Sequence, residues 1–279
     1  MKVRIITDST ADVTAELKQR LLTVPLTVHF GEEEFIDGVT ITHTQFYEKL
    51  VESDVMPSTS QATPAAFAEM FETIRDAGES AVVITLASQL SGTYQSAVIA
   101  AADFDNIYVV DSGTAAIGAG ILAEMALRLA DGGMDASAIA QTLEEEKRKI
   151  RIVALLDTLE YLKRGGRISK TVAFAGGLLN IKPVVAIRNG EIFMLGKARG
   201  SRQGNNLLVT QIREAGGVDF DKPVLLGYTG LSDALLKKYM EDSAQLWEGG
   251  VDTLRYTLIG SVIGTHAGPG AVAVAFFKK

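Results

Sequence analysis

Three separated stretches carry side chains able to hold a small polar or anionic group. Ser91-Gly92-Thr93 stands where a strand-like run gives way to a helix-like one. The first N–H groups of a helix lack intrahelical acceptors and lie at the positive end of its dipole; glycine permits close approach, and the hydroxyls add donors. Serine and threonine are also favoured helix caps, so capping and ligand binding stand as alternatives for this segment alone. Pro57-Ser58-Thr59-Ser60-Gln61 offers four polar side chains behind a proline that restricts the backbone, a composition that turn chemistry also produces. His266, in Thr265-His266-Ala267-Gly268-Pro269-Gly270, can donate to an anion, act as a base or serve as a buried structural residue. Asp8 and Asp111, at strand ends, can hold a metal or cap the helices that follow, and capping is the preferred reading. His29 and His43 have no patterned partners and receive no role.

The elements that must position these residues alternate strand, loop and helix through the first half. Residues 3–7 lead through Asp8-Ser9-Thr10-Ala11-Asp12 into a helix expected over 13–22. Residues 81–86 lead into a helix from 94, and 107–110 into a helix over 115–130. Such alternation implies a largely parallel sheet, whose ligands bind beyond the carboxyl ends of the strands, where all three loops fall. Residues 24–30 read as a further strand, 44–51 and 64–77 as helices, and 56–63 as an irregular linker. Beyond the helical 136–149 the pattern changes. Residues 184–199 read as a hairpin turning at Asn189-Gly190, 224–228 as a strand before a helix that Ser232 can cap, and strands are expected around 266–270. The boundary between an N-terminal α/β domain (1–150) and a C-terminal mixed α/β domain (151–279) is therefore expected near Arg151.

Composition excludes several classes. Twenty-seven Lys and Arg against 34 Asp and Glu give a formal charge of -7, which repels nucleic acid and anionic lipid. A hydrophobic content of 47% with 22% charged residues is that of a folded globular chain. There is no cysteine, hence no disulfide, thiolate metal site or cysteine nucleophile; the cytoplasm is the expected compartment. The N-terminus reads as a strand rather than a signal peptide, and the longest apolar stretch, 115–130, is broken by Glu124 and Arg128. No GxxxxGK phosphate loop, HExxH zinc helix or EF-hand loop occurs. Gly118-Ala119-Gly120-Ile121-Leu122-Ala123 fits a dinucleotide pattern but falls within a helix, where close packing explains it better.

Taken together, seven ordered motifs resemble those of the DegV family of bacterial fatty-acid-binding proteins, whose members include the lipid-carrying subunits of fatty acid kinase. They are 8–12 (DSTAD), 57–61 (PSTSQ), 90–97 (LSGTYQSA), Val110-Asp111-Ser112, 162–169 (LKRGGRIS), Ile181-Lys182-Pro183-Val184 and 266–270 (HAGPG). Ala87 stands where the family pattern has serine, and Ala62-Thr63 replaces Pro-Ser. The resemblance implies two α/β domains with one long-chain fatty acid between them, its carboxylate held by Thr59, Ser91, the Gly92 amide and His266. At ~0.8 kcal/mol per buried CH₂, about fourteen methylenes would contribute roughly 11 kcal/mol gross, leaving orientation to the polar groups.

The resemblance further implies a carrier without catalytic residues, metal or cofactor of its own, which delivers fatty acid to a separate kinase and takes the acyl phosphate onward into phospholipid metabolism. Two basic segments, Arg164, Arg167 and Lys170, then Lys197, Arg199 and Arg202, are either solvated faces or docking points for that kinase; Arg167, Arg199 and Arg202 are the expected ones. The rival reading is a serine hydrolase with Ser91 as nucleophile and His266 as base. Gln89 and Thr93 occupy the glycine positions of G-x-S-x-G, and no Asp is patterned with His266. A DNA-binding regulator would need a basic face or a helix-turn-helix signature, and neither is present.

Overall fold

In a computed structural model, residues 2–168, 181–248, 250 and 254–279 are described. The β-branched runs of the first half form a parallel four-stranded sheet in the order Leu22–Val24, Val3–Asp8, Ser80–Thr85 and Ile107–Asp111. The later strands form a mixed six-stranded sheet in the order Glu191–Arg199, Ile181–Arg188, Ile150–Leu155, Val272–Phe277, Leu225–Tyr228 and Tyr256–Leu258. A small antiparallel sheet joins Glu33–Ile36, Thr27–Phe30 and Ser58–Ser60. The protein is thus α/β, with a parallel-sheet N-terminal part and a mixed-sheet C-terminal part.

The helix Ile117–Asp131 lies between the two large sheets: Ile117, Ile121 and Leu122 share one core with Ile5 and Val82 on one side and Ile152 and Ala275 on the other. Gly118 and Gly120 make that approach close, since a Cβ at Gly120 would lie 1.9 Å from the Asp12 carbonyl oxygen and one at Gly118 2.4 Å from Thr114 Oγ1. Along the strand Ile150–Leu155, side chains alternate. Val153 and Leu155 pack with Leu208, Ile212 and Tyr239 beneath the helices Gly200–Glu214 and Ala234–Asp242, while Ile152 and Ala154 face the other way.

Several elements differ from expectation. The helix expected over 13–22 shrinks to Ala15–Lys18, because the chain turns at Leu22 to pair with Val3–Asp8. The linker 56–63 contains the strand Ser58–Ser60, whose polar residues pair with Thr27–Phe30. The strand expected at 266 is instead the helix Ser261–Ala267, followed by Val272–Phe277. Gly264 explains the misreading: a Cβ there would lie 2.5 Å from the Tyr47 hydroxyl, so the glycine serves close helix packing. Gly268, at φ 71°, then ends the helix, its N–H bonded to the Gly264 carbonyl.

Asp8 and Asp111 do not cap helices. Asp8 accepts from the N–H and hydroxyl of Thr10 at 2.9 and 2.6 Å and from the Leu86 N–H at 2.7 Å. Asp111 accepts from the N–H groups of Gly113 and Ser88. Both tie loops together beyond the parallel strands, since the helices start several residues further on. Cross-links also fix the helix Ser261–Ala267 against the N-terminal part: Asp12 accepts the Gly260 N–H at 2.8 Å, Thr257 donates to the Val13 carbonyl, and Tyr47 donates to the Ile259 carbonyl.

Candidate functional site

Thr59, Ser91, Gly92 and His266, separated by as many as 207 residues in sequence, line one cavity of about 360 Å³. Each reaches it on a different element. Thr59 sits in the middle of the strand Ser58–Ser60, paired with Val28. Ser91 and Gly92 close the loop after the strand Ser80–Thr85, with Gly92 as the N-cap of the helix Thr93–Ala101. His266 lies in the last turn of Ser261–Ala267, whose Val262, Ile263, His266 and Ala267 share a face at helical spacing and all line the cavity.

At the polar end, His266 Nε2 and Thr59 Oγ1 are 3.0 Å apart. Ser91 Oγ lies 3.0 Å from Thr93 Oγ1 and accepts the Thr93 N–H at 3.3 Å, so its side chain does bridge the first turn of the helix. Gln61 donates to Ser96 Oγ at 2.9 Å and packs where a Gly92 Cβ would stand, 2.1 Å from its Oε1; glycine is needed there for close approach. His266 Nδ1 is buried without a partner among the described residues and lies 2.1 Å from where a Gly165 Cβ would be. Burial, with the nearby Arg167 charge, lowers the His266 pKa to about 4, so the imidazole is neutral at ordinary pH. The polar end therefore holds neutral hydroxyls, an amide and a neutral ring, with the Arg167 guanidinium beside them.

Arg167, expected to face a partner, lines the cavity as well, with Nε donating to the Leu90 carbonyl at 3.2 Å and Nη1 to the Gly165 carbonyl at 2.6 Å. Arg199 and Arg202 do not line it; Arg199 precedes the helix Gly200–Glu214 and Arg202 lies in its first turn, both exposed. Lys170 and Ser169 lie outside the described residues.

Away from the polar end the walls are apolar, formed by Leu26, Leu86 and Leu90 from the N-terminal part and Ile152, Val185 and Ile187 from the six-stranded sheet. The space opens where two paired residues of that sheet are small: Ala273 pairs with Ala154, which lies beside Val185, whereas Gly227, opposite Ala273, makes room for Ile259 and Ile117. Ala154 and Ala273 line the cavity directly. Ala116, which also lines it, holds a positive φ of 52°, an uncommon conformation for a residue with a Cβ. No sequence signal pointed to this pair of alanines, and Gly165 stood out only as part of the 162–169 motif, without a role of its own.

The geometry does not assemble a hydrolytic triad. Ser91 Oγ is bonded to Thr93, His266 Nε2 to Thr59, and no carboxylate meets His266 Nδ1 among the described residues. No group of three His, Asp or Glu side chains among the described residues is arranged to hold a metal. No described helix is long and apolar enough to cross a membrane.

Fold and site together define an α/β protein built around an interior apolar cavity with one polar end. A family model described as "uncharacterised protein, DegV family" matches residues 2–279, and the chain belongs to that family. A DegV domain-containing protein of Caldanaerobacter subterraneus is 34% identical over 284 residues, covering 100% of this chain and 99% of its own. Among solved structures, a fatty-acid-binding DegV family protein of Thermus thermophilus matches with a TM-score of 0.89 at 29% identity, over 99% of this chain and 100% of that one. A stearic acid-binding protein of Eubacterium ventriosum matches with a TM-score of 0.88 at 27% identity, over 99% and 98%.

Proposed function

We propose that this protein binds one long-chain fatty acid, with the acyl chain in the apolar cavity and the carboxylate against Thr59 Oγ1, Ser91 Oγ, the Gly92 N–H and His266. The observation that carries the reading is that these four groups line one mostly apolar cavity of about 360 Å³, within the ~300–1,000 Å³ typical of small-molecule sites, with Thr59 Oγ1 3.0 Å from His266 Nε2. Neutral donors suit a single carboxylate, because they bond it without the full desolvation cost of a buried ion pair. The fatty acids bound by the Thermus and Eubacterium proteins support the same ligand class here. Residues 1–150 and 151–279 act as two domains that enclose the chain.

The protein is a non-catalytic carrier acting in the cytoplasm. It presents the carboxylate to a separate fatty acid kinase and carries the resulting acyl phosphate. Arg167, at the cavity, stands beside the transferring phosphoryl group, while Arg199 and Arg202 meet the kinase, where the guanidinium fork suits acidic or phosphorylated surfaces. Mass spectrometry of organic extracts from the purified protein tests the ligand assignment: a stoichiometric fatty acid is expected. A delipidated protein that binds no fatty acid in titration would overturn it.

A further inference from the structure

A second concavity, of about 610 Å³, shares Ile187 with the wall of the apolar cavity but is mostly polar, Ile150 and Ala215 being its other apolar side chains. Its rim joins the loop Asp111, Ser112, Gly113, Thr114 to the hairpin turn Asn189-Gly190, held together by the Gly190 N–H donating to the Gly113 carbonyl at 2.8 Å. Four cations line it, Lys147, Arg148, Arg151 and Arg188, against two carboxylates, Asp111 and Glu214. Both carboxylates are engaged: Asp111 accepts the Gly113 and Ser88 N–H groups, and Glu214 accepts from the Gln211 side chain at 2.7 Å.

What sets these arginines apart is that three of them without an ion pair among the described residues line one groove; Arg167, Arg199, Arg202 and Arg213 also lack one but do not line it. Elsewhere exposed cations mostly meet acids, as Arg20 meets Asp131 at 2.7 Å and Lys238 meets Asp242 at 2.8 Å. Lys147 itself pairs with Glu144 at 2.7 Å. Among the described residues no carboxylate lies within ion-pair reach of Arg148, Arg151 or Arg188. Arg151 donates only to the carbonyls of Arg148 and Ile150, and the Arg188 charge, after burial, lowers its pKa from the ordinary value. Two guanidinium groups held near each other without an acid repel, and an anion between them would remove that cost.

We propose that this groove binds the phosphate group of a small, non-aromatic phosphorylated compound, through Arg148, Arg151 and Arg188. Guanidinium forks match phosphate oxygens in pairs, and a site drawing on three of them favours a dianion over a carboxylate. Among the described residues no aromatic side chain lines the groove, so these offer no stacking surface for a nucleobase. This site is separate from the proposed acyl-carboxylate site and does not depend on that reading.

Isothermal titration of the intact protein with sodium pyrophosphate, and with inorganic phosphate, tests the proposal at low ionic strength. Saturable one-site binding is expected, with Arg148→Gln and Arg188→Gln each weakening it about tenfold or more, and Arg188→Lys falling between wild type and Arg188→Gln. Arg20→Gln, a surface control distant in sequence, leaves it unchanged, and all four variants keep wild-type far-ultraviolet circular dichroism. Absence of saturation up to about 10 mM pyrophosphate would overturn the proposal. So would equal weakening by Arg20→Gln, or ADP binding more tightly than pyrophosphate, which would assign the groove to a nucleotide.

Discussion

Replacing Ala154 by leucine is expected to weaken fatty-acid binding while leaving the empty protein at least as stable. Ala154 belongs to the pair of small residues that opens the cavity, flanked across the sheet by Ala273 and Val185. Its side chain faces the interior space, opposite to Val153 and Leu155, which pack into the other core. Leucine adds three carbons to that space and displaces about three methylenes of the ligand. At ~0.8 kcal/mol per methylene the loss is about 2.4 kcal/mol, roughly 60-fold in dissociation constant. Without ligand, the added carbons fill vacant volume and contribute burial rather than a cavity, so the melting temperature should hold or rise. Displacement of a fluorescent fatty acid, run with saturated acids of increasing length, separates this from general damage: a short chain that stops before Ala154 loses little, and a long one loses most. Equal affinities for wild type and variant at every chain length would refute the claim that this pair opens the acyl channel.

Thr59→Ala and Ser91→Ala should each cost ~1.5–3 kcal/mol of fatty-acid affinity in the same displacement assay, the range for a hydrogen bond to a charged group. Gly165→Ala tests ring placement without removing the ring: its Cβ would stand 2.1 Å from His266 Nδ1, so the imidazole must leave Thr59 and affinity should fall, whereas an unchanged affinity would remove His266 from the site. The His266 pKa of about 4 lies below its ordinary 6.5, so between those values the unfolded chain takes up the proton and the folded one does not. Stability therefore rises with pH through that window and is lost as pH falls toward 4, by at most about 3.4 kcal/mol from this group. Burial raises the Asp8 and Asp12 pKa values and works with the opposite sign, so the quantity to measure is the urea-unfolding difference between wild type and His266→Gln; a difference independent of pH would contradict the assignment. Arg199→Ala should slow kinase-dependent phosphorylation with fatty-acid affinity unchanged, while Arg167→Ala, at the cavity, should lower both; unchanged turnover in both variants would move docking elsewhere.

What could be read from the sequence, and what could not, follows from how local each feature is. The Asn189-Gly190 hairpin was legible because both residues take positive φ, 50° and 78°, which only a few residue types do comfortably. The helix start at Ser91-Gly92-Thr93 was legible for the same reason, its chemistry being carried by adjacent residues. The capping reading of that segment is not met in its usual form: Gly92 is the N-cap and no side chain caps it, while Ser91 Oγ accepts the Thr93 N–H and lines the cavity. Departures from the family motifs also have local explanations, for Thr63 caps the helix Pro64–Asp76 by accepting the Ala66 N–H at 3.2 Å. Ser58–Ser60 was not legible as a strand because three hydroxyl residues show no apolar alternation, and only pairing with Thr27–Phe30 makes them one.

The helix carrying His266 failed for a related reason: Gly260 and Gly264 weaken its intrinsic preference, and contacts with Asp12 and Tyr47, more than two hundred residues away, restore it. Arg167, expected at a partner surface or beside a transferring phosphoryl group, is exposed and also reaches the cavity, because the turn at Gly166, with φ 68°, carries its Nε to the Leu90 carbonyl. The cavity lies furthest from local reading. Ala154 and Ala273 are unremarkable singly, and no spacing relates them. Only antiparallel register places them side by side, and what they jointly do is leave out carbon atoms. A ligand's hydrogen-bonding groups can thus be sought in motifs, because donors must be specific residues at specific places. The volume for its acyl chain must be sought in the packing, since an absence of side chain leaves no pattern until neighbouring strands surround it.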